Sequence, residues 1–205
     1  MSKVQVDTID TRSGTSTMQI GSTNTSTINI GVSGDTVNIP SGVTIANAGT
    51  ATGFGGANTP AFHVYLSANQ TVSNATETKV QFNTELYDTG NAYDNSSNYR
   101  YTPQTSGKYY FYTDILLDSA SNNNNIDYVY TEIRKNGTSV TNTIFDFRTD
   151  RDGRKFSVNN FTTVDMNGSS DYVEVFGTIS ASYTGDLKIG GGVATSYFGG
   201  YKLII

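Results

Sequence analysis

Twelve consecutive residues, Gly107-Lys-Tyr-Tyr-Phe-Tyr-Thr-Asp-Ile-Leu-Leu-Asp118, run without a proline or an interior glycine and keep a two-residue rhythm. Tyr109, Phe111, Thr113, Ile115 and Leu117 share one face; Tyr110, Tyr112, Asp114, Leu116 and Asp118 share the other. The pattern predicts one long β-strand. Its first face is apolar enough to be core. Its second is aromatic at one end and acidic at the other, a mixture that suits a surface covered by a second chain better than one left in water.

Such a strand needs neighbours, and the chain offers them. Phe62, Val64 and Leu66 alternate, and Val80 and Phe82 predict a short second strand. After an irregular stretch from Tyr87 to Tyr101 and the 107–118 strand comes Ile126 to Lys135. There Val129, Thr131 and Ile133 face away from Tyr128 and Tyr130. Val140–Phe147, Phe156–Met166, Tyr172–Ala181 and Ala194–Ile205 complete the set. No stretch carries the helical period. Eight to ten strands in residues 60–205 predict an all-β sandwich or jelly roll.

Residues 1–49 are different in kind. Thr17-Met-Gln-Ile20-Gly21 is echoed by Thr27-Ile-Asn-Ile30-Gly31, by Thr36-Val-Asn-Ile39-Pro40 and loosely by Val43-Thr-Ile45. Each unit reads as a short β segment closed by Gly or Pro. One chain has too few residues here to close a core around these isoleucines. Three chains wound about an axis would bury Ile20, Ile30, Ile39 and Ile45 along it, giving a trimeric β-repeat shaft. A solvated polar tail is the competing reading of the same Gly/Ser/Thr-rich composition. A collagen stem is excluded, because glycine does not recur at every third position. Residues 50–59, with three glycines in Gly53-Phe-Gly-Gly56, read as a linker to the domain at 60–205.

The formal net charge is -5, against a nucleic-acid backbone as main partner. The absence of cysteine removes disulfides and thiolate metal sites. No apolar run reaches the ~18 residues of a membrane span, and the first residues lack the apolar run of a secretion signal. The expectation is a protein made in a cytoplasm and assembled from there.

Three separated pieces resemble the signature of the complement C1q-like family. They are Phe82, Asp88 and Tyr93 at their spacing, Gly107-Lys-Tyr109-Tyr-Phe111, and the closing Ser196-Tyr-Phe-Gly-Gly-Tyr-Lys-Leu-Ile204. Tyr101 falls one residue late, and Thr113 stands where the family has an aromatic. The resemblance covers residues 60–205. It implies a ten-strand jelly roll of the tumour-necrosis-factor type, trimeric, with both termini at one end. Val4-Gln-Val-Asp-Thr-Ile9 and Thr36-Val-Asn-Ile-Pro-Ser-Gly42 are similar to shafts of virion proteins of tailed bacteriophages. Shaft and knob together resemble a phage fibre.

Catalytic chemistry finds little to work with. His63 is the sole histidine, so one chain holds no His-based metal cluster. It is also the only imidazole available to a nucleophilic triad. Glu77, Glu85, Glu132 and Glu174 are the only glutamates. We expect no enzyme activity and no cofactor; Asp150 and Asp152, spaced Asp-x-Asp-Gly, are the one weak suggestion of calcium. Arg148-Thr-Asp-Arg-Asp-Gly-Arg-Lys155 packs four of the thirteen basic residues into one predicted hairpin. It reads either as a solvated turn whose charges pair with one another or as a binding tip. With both termini at one end, alternate connections gather at the other. Asn122, Asn123, Asn124, Arg148, Asp150, Arg151, Asp152, Arg154, Tyr183 and Asp186 then share an apex. Amides and guanidinium groups bond hydroxyls and tyrosine stacks on sugar faces, which suits carbohydrate. For the knob's trimer core the candidates are Tyr110, Tyr112, Tyr128, Tyr197 and Tyr201, since tyrosine is enriched at interfaces.

The expectation is therefore a structural protein of a phage virion. Its N-terminal segment joins other virion proteins, and its trimeric knob meets a host receptor, a surface polysaccharide. A capsid decoration or head fibre without a receptor role, and a bacterial lectin-like protein, are the alternatives.

Overall fold

The computed structural model describes residues 20, 23–24, 26–46, 59–119, 126–149, 153–182 and 185–204. The chain divides into two units, Met1–Thr52 and Gly53–Ile205.

In the second unit the described residues form thirteen strands and no helix. One sheet runs β10 (Lys155–Met166), β7 (Gly107–Asp118), β13 (Tyr197–Lys202), β1 (Ala61–Tyr65), β4 (Thr84–Asp88). Beyond the end of β13, the two-residue strands β12 (Lys188–Ile189) and β2 (Gln70–Thr71) continue it beside β7. The second sheet runs β5 (Tyr93–Asp94), β6 (Arg100–Tyr101), β11 (Val173–Ala181), β8 (Ile126–Lys135), β9 (Thr138–Asp146), with β3 (Thr78–Lys79) also on β11. All ladders are antiparallel. This is the jelly-roll sandwich that the alternation predicts. It has more strands than ten because five are two-residue ladders, too short to leave a periodic trace in the sequence.

The predicted strand at Val80 and Phe82 is not one. Both side chains are buried, but the segment crosses from β3 in one sheet to β4 in the other. Its alternation records a passage over the core, not a ladder.

Between the sheets, the odd-numbered face of β7 packs against Val129, Ile133, Val175 and Ile179 of the second sheet, all nearly inaccessible. Phe62 is stacked on Tyr101 at 4.0 Å between centroids and meets Phe198 edge-on at 5.0 Å. Gly200 lets β13 lie close over Phe111, where an added Cβ would sit 2.6 Å from the ring. At one edge a polar clasp joins the sheets. Buried Asn160 of β10 donates to Thr131 Oγ1 of β8 at 2.6 Å and accepts from Thr143 Oγ1 of β9 at 2.6 Å.

In the first unit the described residues form turns, not ladders. Asp35 N donates to Val32 O at 3.0 Å, and Val43 N to Pro40 O at 3.2 Å. These turns follow Ile30 and Ile39 and so punctuate the repeat where the sequence places its Gly and Pro. In a single chain no strand is hydrogen-bonded among the described residues of this unit. Ile20, Ile30 and Ile39 are 64%, 70% and 43% exposed, because a single chain offers them nothing to pack on.

Candidate functional site

Three surfaces of the sandwich carry side chains beyond what the fold requires.

The outer face of the first sheet is aromatic. Tyr110 and Tyr112 of β7, Tyr197 and Tyr201 of β13 and His63 of β1 are half-buried on it. Ladder register explains the grouping: Tyr110 pairs with Tyr201, and Tyr112 with Gly199, which pairs onward with His63. Gly199 has no side chain, so the Tyr112 ring crosses it; a Cβ there would collide with that ring. The Tyr112 hydroxyl thereby reaches His63 Nδ1 at 3.0 Å. His63 also stacks on Tyr197 at 5.3 Å, and Tyr110 lies 5.5 Å from Tyr201. Burial disfavours charge on these groups. It lowers the His63 pKa and raises those of Tyr112 and Tyr197, the latter with help from Asp114. Tyr128, the fifth of the expected tyrosine set, lies on β8, in the other sheet, so it does not share a face with the other four.

The outer face of the second sheet is charged and self-matched. Glu174 of β11 pairs with Lys79, and nearly inaccessible Glu132 of β8 pairs with Arg134. Arg134 also meets Glu77 at 2.6 Å. Arg134 and Lys79 both lie over the Phe176 ring, at 4.1 and 5.7 Å. Burial alone would raise the Glu132 pKa; hydrogen bonds from Ser139 and Arg134 outweigh it and hold the carboxyl low.

The third surface is the end where the loops meet. Lys202 N donates to Pro60 O at 3.0 Å and Leu203 N to Lys108 O at 2.8 Å, so the knob's first and last described strands share one end. At the opposite end the stems of three connections converge. Ser119 N donates to Arg154 O at 2.9 Å, and Ile126 N to Gly153 O at 3.2 Å. Buried Asp118 receives Lys155 of β10 at 2.9 Å and Lys188 of β12 at 3.8 Å. Arg148, Arg154 and Asp186 lie on these stems. Arg148 is clamped by Asp146: its Nε donates at 2.8 and 2.9 Å to the two carboxylate oxygens. Those bonds hold the Asp146 pKa down to about 2. The charge pairing expected of this hairpin thus reaches back to Asp146. Asn122, Asn123, Asn124, Asp150, Arg151, Asp152 and Tyr183 lie outside the described residues. Among the described residues no cluster of three or more His, Asp or Glu is placed to hold a metal ion, and no helix is long and apolar enough to cross a membrane.

Sequence reasoning missed Asp118, which it left on the outer face, and Glu77. The lysines that bury Asp118 lie far along the chain, and nothing local announces them.

No protein-family model matches the chain. No curated protein matches it either. Solved structures do. A tumour-necrosis-factor protein, Eiger from S. frugiperda, superposes with a TM-score of 0.53 at 14% identity, over 70% of this chain and 92% of that one. Murine APRIL at pH 5.0 gives 0.50 at 14% identity, over 70% of this chain and 99% of that one. The same protein at pH 8.0 gives 0.50 at 12% identity. At such identities the likeness is one of fold: the knob is a jelly roll of the tumour-necrosis-factor type.

Proposed function

We propose that the chain is a homotrimeric, non-enzymatic fibre protein of a tailed-phage virion. Residues 1–49 attach it to other virion proteins and form a threefold shaft; the knob presents its loop end to a host-surface polysaccharide. One observation carries the reading: a single chain leaves two apolar surfaces uncovered. They are the isoleucine row at 20, 30, 39 and 45, and the aromatic face around Tyr112.

The knob also carries exposed Phe161 on β10, opposite Tyr112 in the ladder and so part of the aromatic face, and exposed Phe145 on β9, at the edge of the second sheet. An aromatic face and a separate apolar edge on one molecule allow a heterologous contact, which gives a ring where its rotation closes. In the trimer the aromatic face of one subunit receives this edge of the next. Three knobs then present three loop ends in parallel, and weak contacts to a repeating polymer multiply through avidity.

Sedimentation equilibrium of the full-length protein tests the assembly, with a trimer expected and a stable monomer overturning it. Retention of the trimer on immobilised bacterial polysaccharides tests the receptor role. Antibody labelling of intact virions tests the location, and label on the capsid surface overturns the tail-fibre assignment.

A further inference from the structure

A groove of about 440 Å³ lies on the outer face of the second sheet, between Tyr128 and Tyr130 of β8, Ile144 of β9, Thr178 of β11 and the segment carrying Glu77. Its volume is within the range of small-molecule sites, ~300–1,000 Å³. Arg148, from a stem of the loop end, forms part of its wall.

The chemistry of the lining narrows the occupant. Two tyrosines from one strand supply aromatic surface, and the C–H face of a sugar ring packs on such surface. The Tyr130 hydroxyl donates to Glu132 Oε2 at 3.1 Å, which fixes that ring in place. Polar groups remain with capacity to spare. Glu77 meets Arg134 through one oxygen, Oε2, and a carboxylate accepts up to about four hydrogen bonds. Arg148 spends Nε and Nη2 on Asp146, leaving guanidinium N–H groups from a set of five. Thr178, 7% exposed, lines the groove from β11. Arg148 is matched by Asp146, while Glu77 and Glu132 share the one guanidinium of Arg134. The groove therefore has no surplus cation to draw an anion, and its offer is hydrogen bonds beside aromatic surface.

We propose that this groove is a binding subsite for a neutral pyranose, with Tyr128 and Tyr130 against the ring and Glu77 and Arg148 bonding its hydroxyls. This deepens, and rests on, the polysaccharide reading of the knob. It places a sugar beside the loop end, on the sheet opposite the aromatic face.

Full-length protein labelled at Ala, Ile and Thr methyls provides the test, because Ala75, Ile144 and Thr178 all line the groove. Glucose, galactose, mannose and N-acetylglucosamine are titrated singly, with sodium sulfate as the anion control. At least one sugar shifts all three methyls with millimolar affinity, and sulfate shifts none. Tyr130→Ala abolishes the response. Arg148→Ala, at an exposed position, keeps the fold and weakens binding about tenfold, the worth of one hydrogen bond to a charged group. Silence of the three methyls with all four sugars overturns the proposal. So does a response to sulfate alone, or an affinity unchanged in both variants. Polysaccharide retention by the same trimer separates the two readings. Retention untouched by both variants sinks the groove and leaves the receptor role standing; methyl shifts without any retention support the groove and sink the receptor role.

Discussion

The two outer faces of the sandwich each present tyrosines from a long central strand, yet they solve solvent exposure differently. On the first sheet Tyr110, Tyr112, Tyr197 and Tyr201 touch one another and His63, and the main polar contact, His63 to Tyr112, is internal to the aromatic group. What remains outward is ring surface. On the second sheet Tyr128 and Tyr130 stand beside Glu132, Arg134, Glu77, Lys79 and Glu174, whose charges pair internally, with Arg134 shared between two glutamates. What remains outward is hydrogen-bonding capacity around a groove. A face of rings gains most from being covered by protein; a face of matched charges with room between them gains from water or a hydroxylated ligand. The same residue type thus carries different meanings on the two sheets.

The largest expected effect breaks the comparison directly. Tyr112→Ala removes a central ring from the aromatic face, and a hot-spot aromatic is worth about 2–4 kcal/mol per interface. The trimer should dissociate toward monomer in sedimentation velocity. Tyr128→Ala, on the other sheet, should sediment as wild type. Equal behaviour of the two variants would erase the distinction between the faces.

The second effect is on folding, not assembly. Arg134→Met strips the guanidinium from Glu132, which is 2% exposed, and leaves a buried carboxylate without its counter-charge. A loss of about 3 kcal/mol in chemical denaturation is expected. Combining it with Glu132→Gln should restore most of that loss, since the penalty lies in the orphaned charge. Failure of the double variant to recover would mean that Arg134 acts through its stacking on Phe176.

These two faces differ in how far they could be read beforehand. The alternation along Gly107–Asp118 sorted core from outer residues as far as Leu117, because burial on a strand is a matter of parity: Tyr109, Phe111, Ile115 and Leu117 are all inaccessible, and only Asp118, buried on the outer side by Lys155 and Lys188, breaks the rule. The partition of the tyrosines between two sheets was not legible. Parity says which side of its own strand Tyr128 occupies, but only topology says that β8 belongs to the other layer. The glycine pair at 199 and 200 was visible as part of a closing motif. Its purpose, clearing space for Tyr112 on one side and Phe111 on the other, depends on a register set across 84 and more residues of chain. Glu77 and Thr178 left no trace, because a groove is made where unrelated segments meet.

The third prediction concerns pH. His63 has a lowered pKa in the folded state, from burial among Tyr87, Tyr112 and Tyr197. The unfolded chain then binds the proton more readily, so stability rises with pH through this region. The contribution of neutral His63 is present above the unfolded value near 6.5 and fades as pH falls through the lower folded value. Acidification from neutrality should lower the melting temperature of the wild type more than that of His63→Gln. Parallel curves would show that the aromatic face does not exclude charge.

The smallest effect is at the rim of the groove. Arg148 and Asp146 are exposed and paired with each other, and exposed pairs are screened by water. Arg148→Ala should leave both the melting temperature and the sedimentation coefficient where they were. Its signature is local: the Asp146 carboxyl, held down to about 2 by the Arg148 hydrogen bonds, should titrate closer to an ordinary aspartate, about 3.9. Carboxylate NMR titration reads this directly. If Asp146 still titrates near 2, other donors at the loop end hold it, and Arg148 is then freer to meet a ligand than its clamp suggests. If it moves while folding and assembly stand still, the rim of the second face is independent of the first. That independence is required if one face is to be occupied by a neighbouring subunit while the other stays open to a ligand.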